Sequence, residues 1–108
     1  MNRGDIYWVD IPTRNPAGKE ISKTRPCIIV SVAALNRARS TVVMVPLSSN
    51  NKVYPPISIS IAGAGGNSVA VCDQLLAVDK SRLKQPKGKL TSAELATLDE
   101  SLRMLLGL

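Results

Sequence analysis

Arg25, Ser48 and Glu20 are the side chains whose types and placement could act on a phosphodiester. From Lys19 to Ser31 the chain reads Lys-Glu-Ile-Ser-Lys-Thr-Arg-Pro-Cys-Ile-Ile-Val-Ser. A loop carrying Lys19, Glu20, Lys23 and Thr24 runs straight into an apolar segment of strand length, with Arg25 and Pro26 at the join. A guanidinium held at the rim of a rigid element can grip a phosphate with two parallel hydrogen bonds and offset charge that builds in a transition state. The competing reading is a surface arginine paired with a nearby carboxylate. Placement at a strand edge favours the phosphate.

The remaining polar positions are weaker alone. Ser48 and Ser49 follow a β-branched run as it enters a loop, where a hydroxyl can donate to a phosphate oxygen or position a ribose hydroxyl. Loop serines are also ordinary turn residues. Glu20 lies five positions before Arg25 and offers a base toward a ribose 2′-hydroxyl, or a solvated partner for Lys19 or Lys23. Asp73 and Gln74 close a later strand and could line the same face. Trp8 could stack on a base or fill the core. Lys52 and Tyr54, in the loop 48–56, suit a nucleic-acid rim or plain solubility.

Composition narrows the chemistry further. The 108 residues, 44% of them hydrophobic, make one domain spanning 1–108 with enough apolar matter for a packed core. Fourteen basic residues stand against eight acids, a formal charge of +6 that favours a polyanionic partner. No histidine is present, which removes Ser-His-Asp triads, imidazole acid–base pairs and histidine-ligated metals; no cofactor is expected. Cys27 and Cys72 sit apart in apolar stretches, as buried thiols of a reducing compartment rather than a metal or redox motif. With no apolar run of membrane length, the expected setting is the cytoplasm and no membrane partner is expected.

These side chains need elements to hold them. Asp5 to Ile11 reads as a strand ending at Pro12, followed by a polar loop to Thr24. Cys27 to Val32 is an apolar strand, Ala33 to Ala38 a helical turn, and Thr41 to Leu47 a strand with Pro46 at its edge or end. Ile57 to Ile61 alternates Ile and Ser, predicting a half-buried strand with its serines outward. Gly63 to Gly66 predicts a turn and Ser68 to Cys72 another strand. Thr91-Ser92-Ala93-Glu94 is a capping box opening a helix to Leu106, with Leu95, Leu98, Leu102 and Leu105 on one face and Gly107 as the stop. Five or so short strands and a terminal helix predict a small, mostly antiparallel barrel with the helix packed across it.

Four segments resemble the MazF/PemK family of toxin endoribonucleases from bacterial toxin–antitoxin pairs. They are Arg3-Gly4-Asp5-Ile6-Tyr7-Trp8-Val9-Asp10, Gly18-Lys19-Glu20 with Thr24-Arg25-Pro26, Val45-Pro46-Leu47-Ser48-Ser49, and Val71-Cys72-Asp73-Gln74. Each is short; all four in register cover essentially the whole chain. The resemblance implies an SH3-like antiparallel barrel with a C-terminal helix, as in CcdB and PemK, and a homodimer. It implies metal-independent cleavage of single-stranded RNA to 2′,3′-cyclic phosphate and 5′-hydroxyl ends, and neutralisation by an acidic antitoxin. The family's catalytic arginine falls on Arg25, its threonine on Ser48 and its glutamate on Glu20. Lys19 and Val71 stand where some members have histidine and arginine, so the surviving mechanism rests on Arg25, Ser48 and a carboxylate, Glu20 or Asp73. Lys19, Lys23, Thr24, Ser49, Lys52, Tyr54, Asp73, Gln74 and Trp8 are expected to bind substrate. The alternative on the same fold is a CcdB-like toxin that traps DNA gyrase; the Arg25–Ser48 pairing favours the nuclease, and fold alone does not decide.

Overall fold

The computed structural model describes residues 1–14, 17, 18, 20–50, 52–62 and 68–108, with backbone alone at 13, 14 and 20–22. Among the described residues, seven strands and two helices follow one another: β1 Asp5–Arg14, β2 Glu20–Ile29, α1 Ala33–Ala38, β3 Thr41–Ser48, β4 Ser58–Ile61, β5 Ser68–Val71, β6 Leu76–Asp79, β7 Leu83–Lys89 and α2 Ser92–Leu106. Tight 3₁₀ turns at Cys72–Gln74 and Lys80–Arg82 flank β6. Every strand pair is antiparallel, in the order β4-β5-β3-β2-β1-β7, with β6 against β3. This is the mostly-β fold with a terminal helix that the residue patterns and the resemblance anticipate.

The first hairpin is longer than the apolar pattern alone suggests. β1 runs through Pro12 to Arg14 and pairs with β2 as far as Arg14↔Glu20. The positions between Pro12 and Thr24, expected as loop, are therefore mostly ladder. Pro12 lies past Val9, where the pairing with β7 ends, so it borders one strand only, the edge setting in which proline is tolerated. β2 ends at Ile29 rather than Val32. β6 and β7 carry no strand signal strong enough to read: Leu-Ala-Val-Asp is short, and Leu-Lys-Gln-Pro-Lys-Gly-Lys has no apolar alternation because every residue after Leu83 is exposed.

Two apolar clusters form on opposite faces of the sheet. The larger gathers Ile6, Ile28, Val45, Leu47, Ile59, Ile61, Ala70 and Cys72, and α2 seals it with Leu95, Leu98, Leu102 and Leu105. The other holds Val9, Cys27, Ile29, Val42, Met44 and Val78. Thr91 caps α2 by accepting from the Glu94 amide at 3.1 Å, while Glu94 accepts from the Thr91 amide at 2.9 Å. Gly107 ends the helix at φ +72°, a left-handed conformation that side chains resist. Gly4 at φ +90° lets the chain start bond both ways, its amide to Ile29 O at 2.7 Å and its carbonyl from Leu90 N at 2.8 Å. A Cβ there would also meet Leu95 at 3.5 Å.

One serine of β4 reverses expectation: Ser60 is exposed, but Ser58 is buried. Its hydroxyl donates to Lys52 O at 2.7 Å and accepts from Tyr54 N at 2.9 Å, tying down the loop before the strand. A buried hydroxyl satisfied this way reinforces the isolated bridge in which Tyr54 and Ser58 also exchange backbone hydrogen bonds. The expected turn at Gly63 to Gly66 lies outside the described residues.

Candidate active site

The site forms where two neighbouring strands part. β2 and β3 pair from Ile29↔Met44 to Cys27↔Pro46, and no further. Extending that register would set Pro26 against Leu47 and Arg25 against Ser48. Instead β3 turns to β5, pairing Leu47 with Ala70 and Ser48 with Val69. Pro26 and Pro46, one on each strand at the parting, lack the N–H that would carry the ladder on. The seam therefore opens beside Arg25 and Ser48.

A cleft of about 280 Å³ occupies the opening, lined by Trp8, Lys23, Arg25, Pro26, Leu47, Ser48, Ser49, Asn50 and Ser68. Arg25 also borders a smaller hollow of about 140 Å³ with Ile11, Pro46, Gln74 and Leu76. Its side chain thus stands between two recesses. The described side chains of both are cationic, hydroxyl, amide or apolar, with no carboxylate among them. Such a lining suits an anion held by Lys23 and Arg25. The Ser48 hydroxyl accepts from Asn50 N at 3.2 Å, which turns its oxygen toward the loop and leaves its proton to donate.

Several expected site residues meet here and others do not. Arg25, Ser48, Ser49, Lys23 and Trp8 share the larger cleft, and Gln74 joins Arg25 in the smaller one. Lys87 Nζ lies over one face of the half-buried Trp8 ring, 5.0 Å from the centroid. Thr24 gives its hydroxyl to Asp10 Oδ1 at 2.6 Å and lines neither recess. That bond first, and then Lys84 at 3.3 Å, holds the Asp10 carboxyl below its usual range. Asp73 is exposed in the 3₁₀ turn beside Gln74. Lys52 and Tyr54 are exposed on the following loop, outside both recesses. Lys19 and the Glu20 side chain lie outside the described residues. Along the backbone, five residues of extended chain, about 17 Å, separate positions 20 and 25.

Asn50 and Ser68 complete the lining without having been singled out from the sequence. Asn50 follows Ser48-Ser49 directly and was within reach of the same reasoning. Ser68 enters only because β5 pairs directly with β3 although β4 lies between them in sequence, a contact that no local pattern announces.

Neither thiol takes part. Cys27 and Cys72 are free and buried. Burial pushes the Cys27 thiol up to about 12 and the Cys72 thiol up to about 11. Cys27 donates to the Arg25 carbonyl at 3.8 Å, steadying the backbone that carries the guanidinium. Thiols that stay protonated are small apolar fillers, not nucleophiles.

Known proteins match along the full length. Endoribonuclease MazF9 of Mycobacterium tuberculosis is 36% identical over 118 residues, covering 100% of this chain and 98% of that protein. A mycobacterial endoribonuclease solved in complex with its cognate antitoxin superposes with a TM-score of 0.83 at 25% identity, covering 100% of this chain and 96% of its own. One crystal form of MazE–MazF from Deinococcus radiodurans gives a TM-score of 0.79 at 27% identity, with 100% and 96% covered. Residues 2–106 match the profile of PemK-like, MazF-like toxins of type II toxin–antitoxin systems. With parted strands, cleft and full-length match in agreement, the chain belongs to that toxin family.

Proposed function

We propose that this chain is an endoribonuclease toxin that cuts single-stranded RNA by internal attack of a ribose 2′-hydroxyl. The observation that carries the reading is the shared cleft of Arg25 and Ser48 at the parted strands, with Lys23 at its side. The 2′-oxygen forms a bond to phosphorus as the bond to the 5′-oxygen breaks. The products are a 2′,3′-cyclic phosphate and a 5′-hydroxyl. Nothing in that step requires a metal-bound water, because the nucleophile belongs to the substrate. Alignment of the hydroxyl with phosphorus supplies much of the acceleration.

Arg25 faces the phosphate and offsets the extra negative charge of the phosphorane. A guanidinium keeps its proton near neutrality, so its role is electrostatic. Ser48 donates to a non-bridging oxygen and fixes the phosphate against the attacking hydroxyl. The 2′-proton passes to a carboxylate, Asp73 in preference to Glu20. Asp73 adjoins Gln74, which shares a recess with Arg25, whereas position 20 stands far along the strand. Water returns a proton to the departing 5′-oxygen.

Two protein partners follow from the surface. The cationic cleft suits an acidic antitoxin segment laid over the RNA path. A second copy of the chain suits a separate apolar groove of about 590 Å³ between α1 and the end of α2, lined by Val32, Leu35, Leu102, Leu106 and Leu108 among others. Its rim carries both signs of charge, Arg3 and Arg103 with Asp99, which fits a self-complementary contact better than an acidic peptide.

Incubation with mixed single-stranded RNA in EDTA tests the reading. Discrete cuts with cyclic-phosphate ends, slowed roughly 10²- to 10³-fold in Arg25→Ala, are expected. Hydrolytic ends, undiminished cutting by Arg25→Ala, or intact RNA beside inhibited gyrase would overturn it.

A further inference from the structure

The edge strand β7 carries a lysine that the cleft does not include. Its residues from Lys84 to Lys89 are exposed, and it pairs with β1 alone. Lys84 is neutralised by Asp10 at 3.3 Å. Lys87 differs: its ammonium rests over the Trp8 ring, and among the described residues it pairs with no carboxylate. Trp8 is itself a wall of the Arg25 cleft. One aromatic side chain therefore joins the cleft to a cation that no carboxylate among the described residues pairs with.

An edge lysine kept only to block strand pairing has no need of a seat; it extends into water. A ring that holds the ammonium beside the cleft gives it a defined position while leaving its donors free for an anion. β7 and β2 flank β1, about 10 Å apart across two strand spacings. A short run of sugar–phosphate backbone covers that distance.

We infer that Lys87, seated on Trp8, holds a backbone phosphate flanking the one that is cut, so that the RNA crosses β1 from the parted seam toward the β7 edge. This rests on the ribonuclease reading. Trp8 then acts as a positioning residue for Lys87 rather than as a stacking platform. Contact with phosphate carries no base preference, so the effect should be equal across RNA sequences.

The test is binding of an uncleavable, fully 2′-O-methylated RNA oligonucleotide, measured against salt from 50 to 200 mM. Each phosphate neutralised on a single strand adds about 0.7 to the slope of log affinity against log salt. Lys87→Gln is expected to lower the slope by about 0.7, so affinity falls about 2.6-fold less over that range than in the wild type. Lys87→Arg should restore the slope, and Arg37→Gln, on α1 away from the cleft, should leave it alone. Wild-type slope in Lys87→Gln, with the wild type binding and cutting RNA, overturns this inference while sparing the nuclease. No binding by the wild type overturns both.

Discussion

Arg25 owes its place at the cleft to three local facts: it is the residue before a proline, its carbonyl is bonded by a buried thiol, and the register that would cover it stops at Cys27↔Pro46. Ser48 occupies the mirrored place on β3. On the proposed reading the hydroxyl donates to the phosphate, so Ser48→Ala should slow cleavage tenfold or more while Ser48→Thr keeps it, read from initial rates on one RNA. Equal rates in all three proteins would remove Ser48 from the site. The thiols make a second prediction. Both are raised by burial, so the folded state keeps protons that the unfolded chain releases above its ordinary value of 9.0. Their contribution is complete below pH 9 and is lost as pH climbs toward about 11 for Cys72 and about 12 for Cys27. Urea midpoints should fall over that range, less steeply in Cys27→Ala than in the wild type. That Arg25 and Ser48 would meet was legible in the sequence because their neighbours, a proline and a strand end, are local signals. The Thr24 bond to Asp10 was not, since it depends on cross-strand register.

Among the elements, α2 was readable almost to the residue, since caps and a leucine stripe are written within one helix. Removing the cap by Thr91→Ala should cost about 1 kcal/mol in denaturant unfolding, without changing the cleft. Leu98, fully buried under the sheet, should cost about 2–5 kcal/mol when cut to alanine. Strands were harder wherever pairing outweighed side-chain pattern. The hairpin extends to Arg14 and Glu20 because each strand supplies the other's hydrogen bonds, not because those residues favour strand. β7 forms on the same terms, against the β1 edge, with hardly an apolar residue of its own. Ser58 turned inward because the loop before β4 needed a buried hydroxyl to satisfy it.

At the scale of the whole molecule, the basic excess and the apolar groove mark different surfaces with different partners. Val32, Leu106 and Leu108 are 56%, 52% and 86% exposed, more apolar surface than a lone small domain usually shows together. Sedimentation should report a dimer for the wild type and a monomer for the paired substitution Leu35→Asp with Leu106→Asp; a wild-type monomer would refute the second copy. The described helices include none long and apolar enough to cross a membrane. The architecture as a whole exists to part β2 from β3 without unravelling either, since each keeps a second partner, β1 for one and β5 for the other. The open seam, with both lips still anchored, brings a cation and a hydroxyl into one cleft, and the proposed function has them address one phosphate. A double-mutant cycle on the cleavage rate, using Arg25→Lys and Ser48→Ala, tests that directly. Groups acting on a single phosphodiester should couple by more than about 1 kcal/mol, the double variant losing far less than the two losses combined. Losses that simply multiply would mean the two side chains serve separate tasks.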